Sequence, residues 1–551
     1  MTAEGSDPVT EAEWTVVIPS IGRPSLHLLL ECLAAQDRYP GEVLVVDDRP
    51  AGGARAPGPP TVTQSSFPFP LRVLRSGGRG PAAARNRGWR AARSPWVVFL
   101  DDDVELPPGW SSALVSDLTQ AALDVAGVCG WIDVPLPTDR PATDWERSTA
   151  GLETAQWATA DMAYRRAALS AVAGFDERFP RAYREDADLA LRVRQAGWAL
   201  RRGDRRVTHP VRRAGRWVSL RTQRGNADDA LMRALHGRGW RDDAQCPPGA
   251  LARHAGTVAA AAGAVLAPAL LRAVGFSPAA RRALATTGAV TWAALAGRFA
   301  WERIAPGPRT RREIGTLLAT SLAIPPAAVA WRLTGAIRHR GAQPWDPRPL
   351  AVLFDRDGTL VHDVPYNGDT AKVRPVDGAR EALDRLRAAG LRIGVVTNQS
   401  GIALGHFTAD DERGVATRIA ELLGPFDTWQ VCPHAALEGC RCRKPKPGMI
   451  RAAMRELGVP PWRTVVIGDT GADVEAALAA GARAILVPTP VTREKETRSA
   501  PELAAGLGAA VDRILTAAAP LPFPGSIKQT RTAPARGLLD RRVLVDRRGV
   551  S

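Results

Sequence analysis

Asp355 and Asp357 stand two residues apart at the end of a short apolar run, 351–354, and are followed directly by Gly358 and Thr359. A run of that length reads as a buried parallel strand, and open α/β sheets place their chemistry at the carboxyl ends of such strands. Two carboxylates there suit Mg2+, and one of them can also attack phosphorus. Gly358 lets backbone approach a ligand closely. A second strand end, Gly-Val-Val-Thr-Asn at 394–398, offers the hydroxyl of Thr397 and the amide of Asn398 to phosphoryl oxygens. Lys444, within Arg-Lys-Pro-Lys-Pro-Gly at 443–448, supplies a fixed cation. A third strand end, Val-Val-Ile-Gly-Asp at 465–469, brings Asp469, and Asp473 follows four residues later. The bland reading of any one of these is a strand ending in a polar turn; their order and spacing together argue for a phosphate-ester site.

These four motifs resemble those of the haloacid dehalogenase (HAD) superfamily phosphatases, over residues 346–515. The resemblance implies that Asp355 is the nucleophile that forms an aspartyl-phosphate and Asp357 the general acid/base. It implies that Gly358, Thr397, Asn398 and Lys444 hold the phosphoryl group, and that Asp355, Asp357, Asp469 and Asp473 hold Mg2+. Just before Lys444, Cys432, His434, Cys440 and Cys442 offer three thiolates and one imidazole within eleven residues. Four N/S ligands make a closed, structural Zn2+ site. This spacing, with 397–403 and 442–445, matches the zinc loop of the capless heptose bisphosphate and histidinol phosphatases. Leu404 stands where that group is usually basic, and Leu360-Val361 replaces a more polar pair. About forty residues between successive motifs leave no room for a cap of domain size. The site should therefore be open, with Arg443 able to bind a second anionic group on a sugar bisphosphate in bidentate fashion.

A separate constellation lies in the first 250 residues. Apolar runs at 14–20, 43–46 and 96–100 alternate with helical spacing at 26–35, a β-α-β start to a parallel sheet. The last of them runs into Asp101-Asp102-Asp103, three acids whose self-repulsion a metal-bound diphosphate would relieve. Glycines and basic residues at 78–88, with Arg85 and Asn86, sit at a helix N-terminus that favours an anion. With 159–166, 174–179 and 185–192, these pieces resemble family 2 glycosyltransferases of the GT-A fold. The resemblance implies that Asp47 and Asp48 hold the nucleoside of a nucleotide-sugar donor, with Arg85 and Asn86 in the same binding set. It further implies that Asp101 and Asp103 hold the diphosphate through Mg2+ or Mn2+, and that Asp186 deprotonates the acceptor hydroxyl in an inverting displacement. Asp161 stands where the family more often has Asn. His209 falls where the family often has a metal-proximal histidine, inside a 201–224 run of nine arginines with one acid, Asp204. That run reads either as a solvated basic face or as a phosphate site.

A chain of 551 residues exceeds one ordinary domain. The expected division is a glycosyltransferase at 1–250, an Ala-rich helical segment and linker at 251–345, a phosphatase at 346–520 and a basic, disordered tail at 521–551. A formal net charge of +16 asks for anionic partners, here the nucleotide-sugar and sugar phosphate, with the acceptor left open. Arginine-rich runs without interleaved aromatics argue against nucleic acid. Six cysteines in such a chain are no secreted disulfide framework, and 1–13 lacks a signal-peptide pattern, so both sites are expected to face the cytoplasm. Three uncharged stretches, 255–271, 283–297 and 314–331, sit at or below spanning length, the third broken by Pro325-Pro326. They read as helices buried against the transferase or as interfacial helices making peripheral membrane contact through 255–337. The leading reading is a bifunctional enzyme. The alternative is a histidinol-phosphate or other small phosphomonoester phosphatase behind a non-catalytic nucleotide-sugar-binding or membrane-targeting module.

Overall fold

The computed structural model describes residues 14–50 and 67–518, apart from 123 and 347. The expected basic tail, residues 1–13 and residues 51–66 lie outside the described residues.

The first domain is built on seven strands: β1 (Trp14–Ser20), β2 (Glu42–Asp47), β3 (Leu71–Arg75), β4 (Trp96–Leu100), β5 (Val125–Asp133), β6 (Asp161–Arg165) and β7 (Ala199–Thr208). Their order is β3-β2-β1-β4-β6-β5-β7, with β6 antiparallel to both neighbours. Both faces of the sheet are covered, which is why β4 is apolar throughout and β1 is apolar from Val16 to Pro19 rather than alternating. Val17, Leu44, Val97 and Phe99 join one core, and Val16, Ile18, Val43, Val45 and Val98 join the other. The chain winds outward in both directions from β1 and β4, and the crevice at their carboxyl ends receives Asp47, Asp48 and Asp101 to Asp103.

The second sheet holds β8 (Ala351–Phe354), β9 (Arg392–Asn398), β10 (Thr428–Cys432), β11 (Thr464–Gly468) and β12 (Arg483–Leu486), in the order β10-β9-β8-β11-β12. Every pair is parallel. Asp355, Thr397, Cys432 and Asp469 therefore emerge from one edge. Among the described residues, the connection from β8 to β9 holds a 3-10 turn and the Ala379–Ala388 helix, and that from β9 to β10 the Ala409–Leu423 helix, so nothing of domain size covers the edge.

In chain order three long helices, Leu251–Ala273, Pro278–Ile304 and Arg311–Arg338, separate the two sheets. The expected break at Pro325-Pro326 is corrected: the third helix continues through both prolines. Each proline removes a ladder donor at a cost of about 3 kcal/mol, and tertiary packing offsets it. Ile324, Pro325 and Ala328 are buried, and Arg303 donates to the hydroxyls of Thr320 and Ser321 at 2.9 Å each while pairing with Asp144 at 2.7 Å. Farther along, Gly335 lies so close to the Asn226–His236 helix that a Cβ there would meet Ala227 backbone at 2.6 Å. The first two helices form a hairpin whose outer half has no cover, with Val265 and Val274 each 74% exposed and Leu266, Leu270 and Phe276 also exposed. Leu251–Ala273 and Arg311–Arg338 are long and apolar enough to cross a membrane, by length and composition.

The two sheets share a junction. The short Arg166–Ala171 helix of the first domain packs on β12, where the Ala484 amide donates to Ser170 Oγ at 3.4 Å. Leu169 and Val172 belong to the same buried cluster as Val466 and Ala484.

Candidate functional sites

At the edge of the second sheet, the Lys444 ammonium is the organising charge. It lies 2.7 Å from Asp355 Oδ1 and 2.5 Å from Asp473 Oδ1, and donates to the Val396 carbonyl at 2.9 Å. Its position is fixed from behind: Asn398 Oδ1 accepts from the Lys444 amide at 3.1 Å and Asn398 Nδ2 donates to the Lys444 carbonyl at 3.2 Å. Ligand oxygens of Asp355, Asp469 and Asp473 fall within 4.8 Å of one another. Burial pushes the Asp355 carboxyl up to about 8 against the pull of Lys444, and burial next to Asp473 raises Asp469 to about 6. Lys444 itself is held charged above its ordinary value, its two carboxylate partners outweighing burial. Carboxylates crowded this way favour a divalent cation, and the buried Asp469 Oδ1, which has no hydrogen-bond partner, is a ready ligand atom. Gly358, at φ +75°, is required here, since a Cβ would sit 2.3 Å from Asp469 Oδ2.

Asp357 is not brought into that carboxylate cluster. Its oxygens accept from Arg356 Nε at 3.0 Å and from Gln399 Nε2 at 2.9 Å, which turns the side chain toward β9. Gln399 also donates to Thr397 Oγ1 at 2.7 Å, tying Asp357 to the second motif. Neither Gln399 nor Arg356 was singled out in the sequence, although both lie inside the quoted motifs.

Cys432, His434, Cys440 and Cys442 converge. Cys442 Sγ lies 3.3 Å from His434 Nδ1 and 3.5 Å from both Cys432 and Cys440, and Cys432 lies 3.6 Å from His434. Those separations are about the edges of a tetrahedron around a metal with 2.0–2.3 Å bonds. The Arg443 amide donates to Cys440 Sγ at 3.4 Å and its guanidinium donates to the His434 carbonyl at 3.2 Å, so Arg443 moves with this loop.

In the first domain, Asp101, Asp103 and His209 place one ligand atom each within 4.8 Å of one another. His209 Nε2 is 3.6 Å from Asp103 Oδ2, and Arg212 bonds the same carboxylate. Asp103 Oδ1 is buried with no partner, a fit for a divalent cation. Arg85 is buried and forks between Asp101 and Glu185, 2.8 Å from each. It thereby joins the strand end to the first turn of the Glu185–Gln195 helix. Asp186 follows there, half-buried, accepting from the Ala187 amide at 2.7 Å, and burial raises its pKa from its ordinary value. The helix is entered through Arg184 at φ +79°, a left-handed conformation costly for a side chain. An ion pair to Asp229 at 2.9 Å and packing over Tyr183 and Trp240 hold it.

Three expected members of the donor set have other occupations. Asp48 accepts from Ser76 Oγ at 2.6 Å and the Gly80 amide at 2.9 Å, fixing the glycine-rich turn. Asp47 is held by Arg49, with contacts of 2.8 and 2.9 Å. Asn86 uses both ends of its amide on Phe175, Glu177 and Trp89, so it braces the acceptor-side segment rather than reaching a donor. Asp161 is buried under Arg205 and Trp110, away from solvent.

Comparison with known proteins bears on both halves. Residues 441–510 match the HAD-hydrolase-like family and residues 15–187 match glycosyl transferase family 2. The D-glycero-beta-D-manno-heptose-1,7-bisphosphate 7-phosphatase of Pseudomonas putida is 38% identical over 143 residues, which cover 25% of this chain and 82% of that protein. The chain belongs to the HAD-like phosphatases. Ahead of that phosphatase it carries a family 2 glycosyltransferase domain of GT-A type, so two enzyme classes, glycosyltransferase and phosphoric monoester hydrolase, share one polypeptide. Among solved structures, the heptose bisphosphate phosphatase of B. bronchiseptica with magnesium and phosphate is 28% identical over 30% of this chain and 98% of its own, at a TM-score of 0.28. A mannosyltransferase of Pyrobaculum calidifontis, with GDP-Man and Mn2+, is 20% identical over 55% of this chain and 90% of its own, at a TM-score of 0.32.

Proposed function

We propose that the phosphatase half removes one phosphate from a sugar bisphosphate of the heptose 1,7-bisphosphate type, and that the transferase half moves a sugar from a nucleotide donor with inversion. The observation that carries the first reading is Lys444 held between Asp355 and Asp473 at an uncapped strand edge. An Asp355 oxygen attacks phosphorus, and the departing sugar hydroxyl takes its proton from Asp357. Asp357 then removes a proton from the water that cleaves the aspartyl-phosphate, ending in its starting state. Thr397 and Lys444 hold the phosphoryl oxygens throughout, and Asn398 keeps Lys444 in register. Mg2+ held by Asp355, Asp469 and Asp473 would neutralise charge on those oxygens. Zn2+ on Cys432, His434, Cys440 and Cys442 would fix the loop that carries Arg443, whose guanidinium suits the second phosphate of the substrate.

In the transferase half, Asp101, Asp103 and His209 would hold the Mg2+ or Mn2+ that offsets the charge of the donor diphosphate. Asp186, raised by burial, is the base for the acceptor hydroxyl, and Arg85 aligns the two elements. Both sites work in the cytoplasm. The uncovered end of the helical hairpin, with Arg272, Arg281 and Arg282 beside Leu270, Val274 and Phe276, suits peripheral contact with an anionic bilayer.

Asp355→Asn should abolish phosphate release while sparing nucleotide-sugar hydrolysis or transfer, and Asp103→Ala should do the reverse. Loss of both activities in a folded Asp355→Asn protein refutes two independent sites. Heptose 1,7-bisphosphate should exceed histidinol phosphate in kcat/KM by at least roughly tenfold, and Arg443→Ala should erode that preference by on the order of 1 to 3 kcal/mol. Histidinol phosphate outperforming the bisphosphate refutes the heptose assignment and leaves the reaction type.

A further inference from the structure

A cavity of about 1370 Å³ belongs to neither strand-end site. It lies between the domains, walled on one side by the far face of the Pro81–Ala91 helix and the 172–178 turn, and on the other by the 445–447 loop and the Gly471–Ala480 helix. Twelve arginines and lysines line it against four aspartates and glutamates, an excess of eight positive charges. Two of those acids are committed: Asp176 to Arg178 at 2.6 Å, and Glu177 to Arg79 at 3.1 Å and Asn86 at 3.0 Å.

One of the lining arginines is buried and incompletely paired, and a second is half-buried over the Trp89 ring with an open Nε. Arg166, 3% exposed, donates through Nη1 to the Ala92 carbonyl at 2.8 Å, while its Nε and Nη2 have no partner. Arg90 reaches the Ala173 carbonyl at 3.2 Å and stands 3.7 Å from Glu177, and its Nε has no partner. Burial lowers both guanidinium pKa values to about 10, with Arg93 adding repulsion at Arg166, and Arg79 and Arg451 at Arg90. A buried cation with open donors is costly unless an anion completes its hydrogen bonds. Guanidinium groups meet phosphate oxygens in bidentate fashion, and a volume of this size takes a nucleotide or a phosphorylated sugar.

We propose that this interdomain cavity is a binding site for a small phosphorylated metabolite, held by Arg166, Arg90, Arg93 and Arg451. Because the cations come from both domains, occupancy ties the transferase to the phosphatase.

The test is calorimetric titration of the full chain with inorganic pyrophosphate in buffer without added Mg2+, where the carboxylates of the two strand-end sites repel an anion. Saturable binding at one site per chain is expected. Arg166→Leu should abolish it, and Arg93→Ser with Arg451→Ser should weaken it at least roughly tenfold, the scale of one lost charged hydrogen bond or more. Arg93 and Arg451 are exposed, so the double variant folds even where Arg166→Leu does not. Displacement of pyrophosphate by ADP or by a sugar monophosphate then identifies the source of the phosphate group. No binding to the wild type, equal binding to the double variant, or displacement by neither compound overturns the proposal.

Discussion

Asp161 offers the sharpest test of how the transferase half is built, because a position more often held by Asn in the family is here taken up by a buried ion pair. Arg205, fully buried, donates through Nε to Asp161 at 2.9 Å, through Nη1 to Asp117 at 2.8 Å and through Nη2 to the Val128 carbonyl at 2.7 Å. Two carboxylates against one guanidinium leave an excess negative charge in the interior, and burial raises the Asp161 pKa accordingly. Asp161→Asn removes that excess and keeps an oxygen that Arg205 or Trp110 can reach, so its cost should be about 1 kcal/mol or less. Arg205→Met leaves both carboxylates and a carbonyl unpaired, at about 3 to 5 kcal/mol. For a domain of this size that is a fall of about 6 to 20 °C in the transferase melting transition, at 2 to 4 °C per kcal/mol. Scanning calorimetry resolves it, provided the phosphatase transition is fitted separately. Nucleotide-sugar hydrolysis by Asp161→Asn at 25 °C should stay within about threefold of wild type, under 1 kcal/mol in activation free energy. Asp161→Asn with unchanged melting and abolished hydrolysis would mean that Asp161 acts on the sugar, and would refute the reasoning.

Three further outcomes are expected. Purified protein should hold about one zinc per chain by the four-ligand rule, and Cys440→Ser should lower both zinc content and the phosphatase melting temperature; full melting stability in zinc-free protein would end this idea. Gly358→Ala should lose phosphatase activity and on the order of 1 to 2 kcal/mol of stability, because φ is +75° and the new methyl would press on Asp469; retained turnover would contradict that geometry. Glu146 accepts from Arg140 at 2.7 Å and from the Thr143 amide at 2.7 Å, which hold its carboxyl down to about 2 from 4.5. A depressed carboxylate stabilises the fold fully above its unfolded pKa and ceases to do so as pH falls through the folded one. The melting deficit of Glu146→Gln, on the order of 1 kcal/mol for a helix cap, should therefore be complete at pH 6, shrink below pH 4.5 and vanish near pH 2, as melting curves across that range would reveal.

What could be read from the sequence was what is local. Asp355, Asp101 and Asp469 announce themselves because an apolar run that ends in an acid is a strand end with a ligand, whatever surrounds it. The cluster of three cysteines and a histidine is legible for the same reason, its four side chains lying within eleven residues. Local rules mislead where distant packing decides. Pro325-Pro326 should stop a helix, and does not, because Arg303 and the Asn226–His236 helix hold both sides of it. Asn86 sits in a motif with a ligand-binding ring to it, yet its amide is spent on residues about ninety positions away. Arg205 was one arginine among nine in a run, with nothing nearby to mark it, since Asp117 and Asp161 lie 88 and 44 positions off.

The same limit governs charge. A net charge of +16 says that the chain attracts anions but gives them no address. Folding sorts the arginines into three kinds. Some are neutralised inside, as Arg85 and Arg205 are by carboxylates. Others lie over aromatic rings at the surface, as Arg202 and Arg206 do over Trp131. A third kind, with Arg166 as its clearest case, is buried against a carbonyl with neither carboxylate nor ring beside it, and its open Nε and Nη2 call for an anion. Counting cannot separate the three kinds. The distinction arises when a helix of the transferase and a helix of the phosphatase are set face to face across one cavity, so the anion site is a property of the fusion and of neither domain alone.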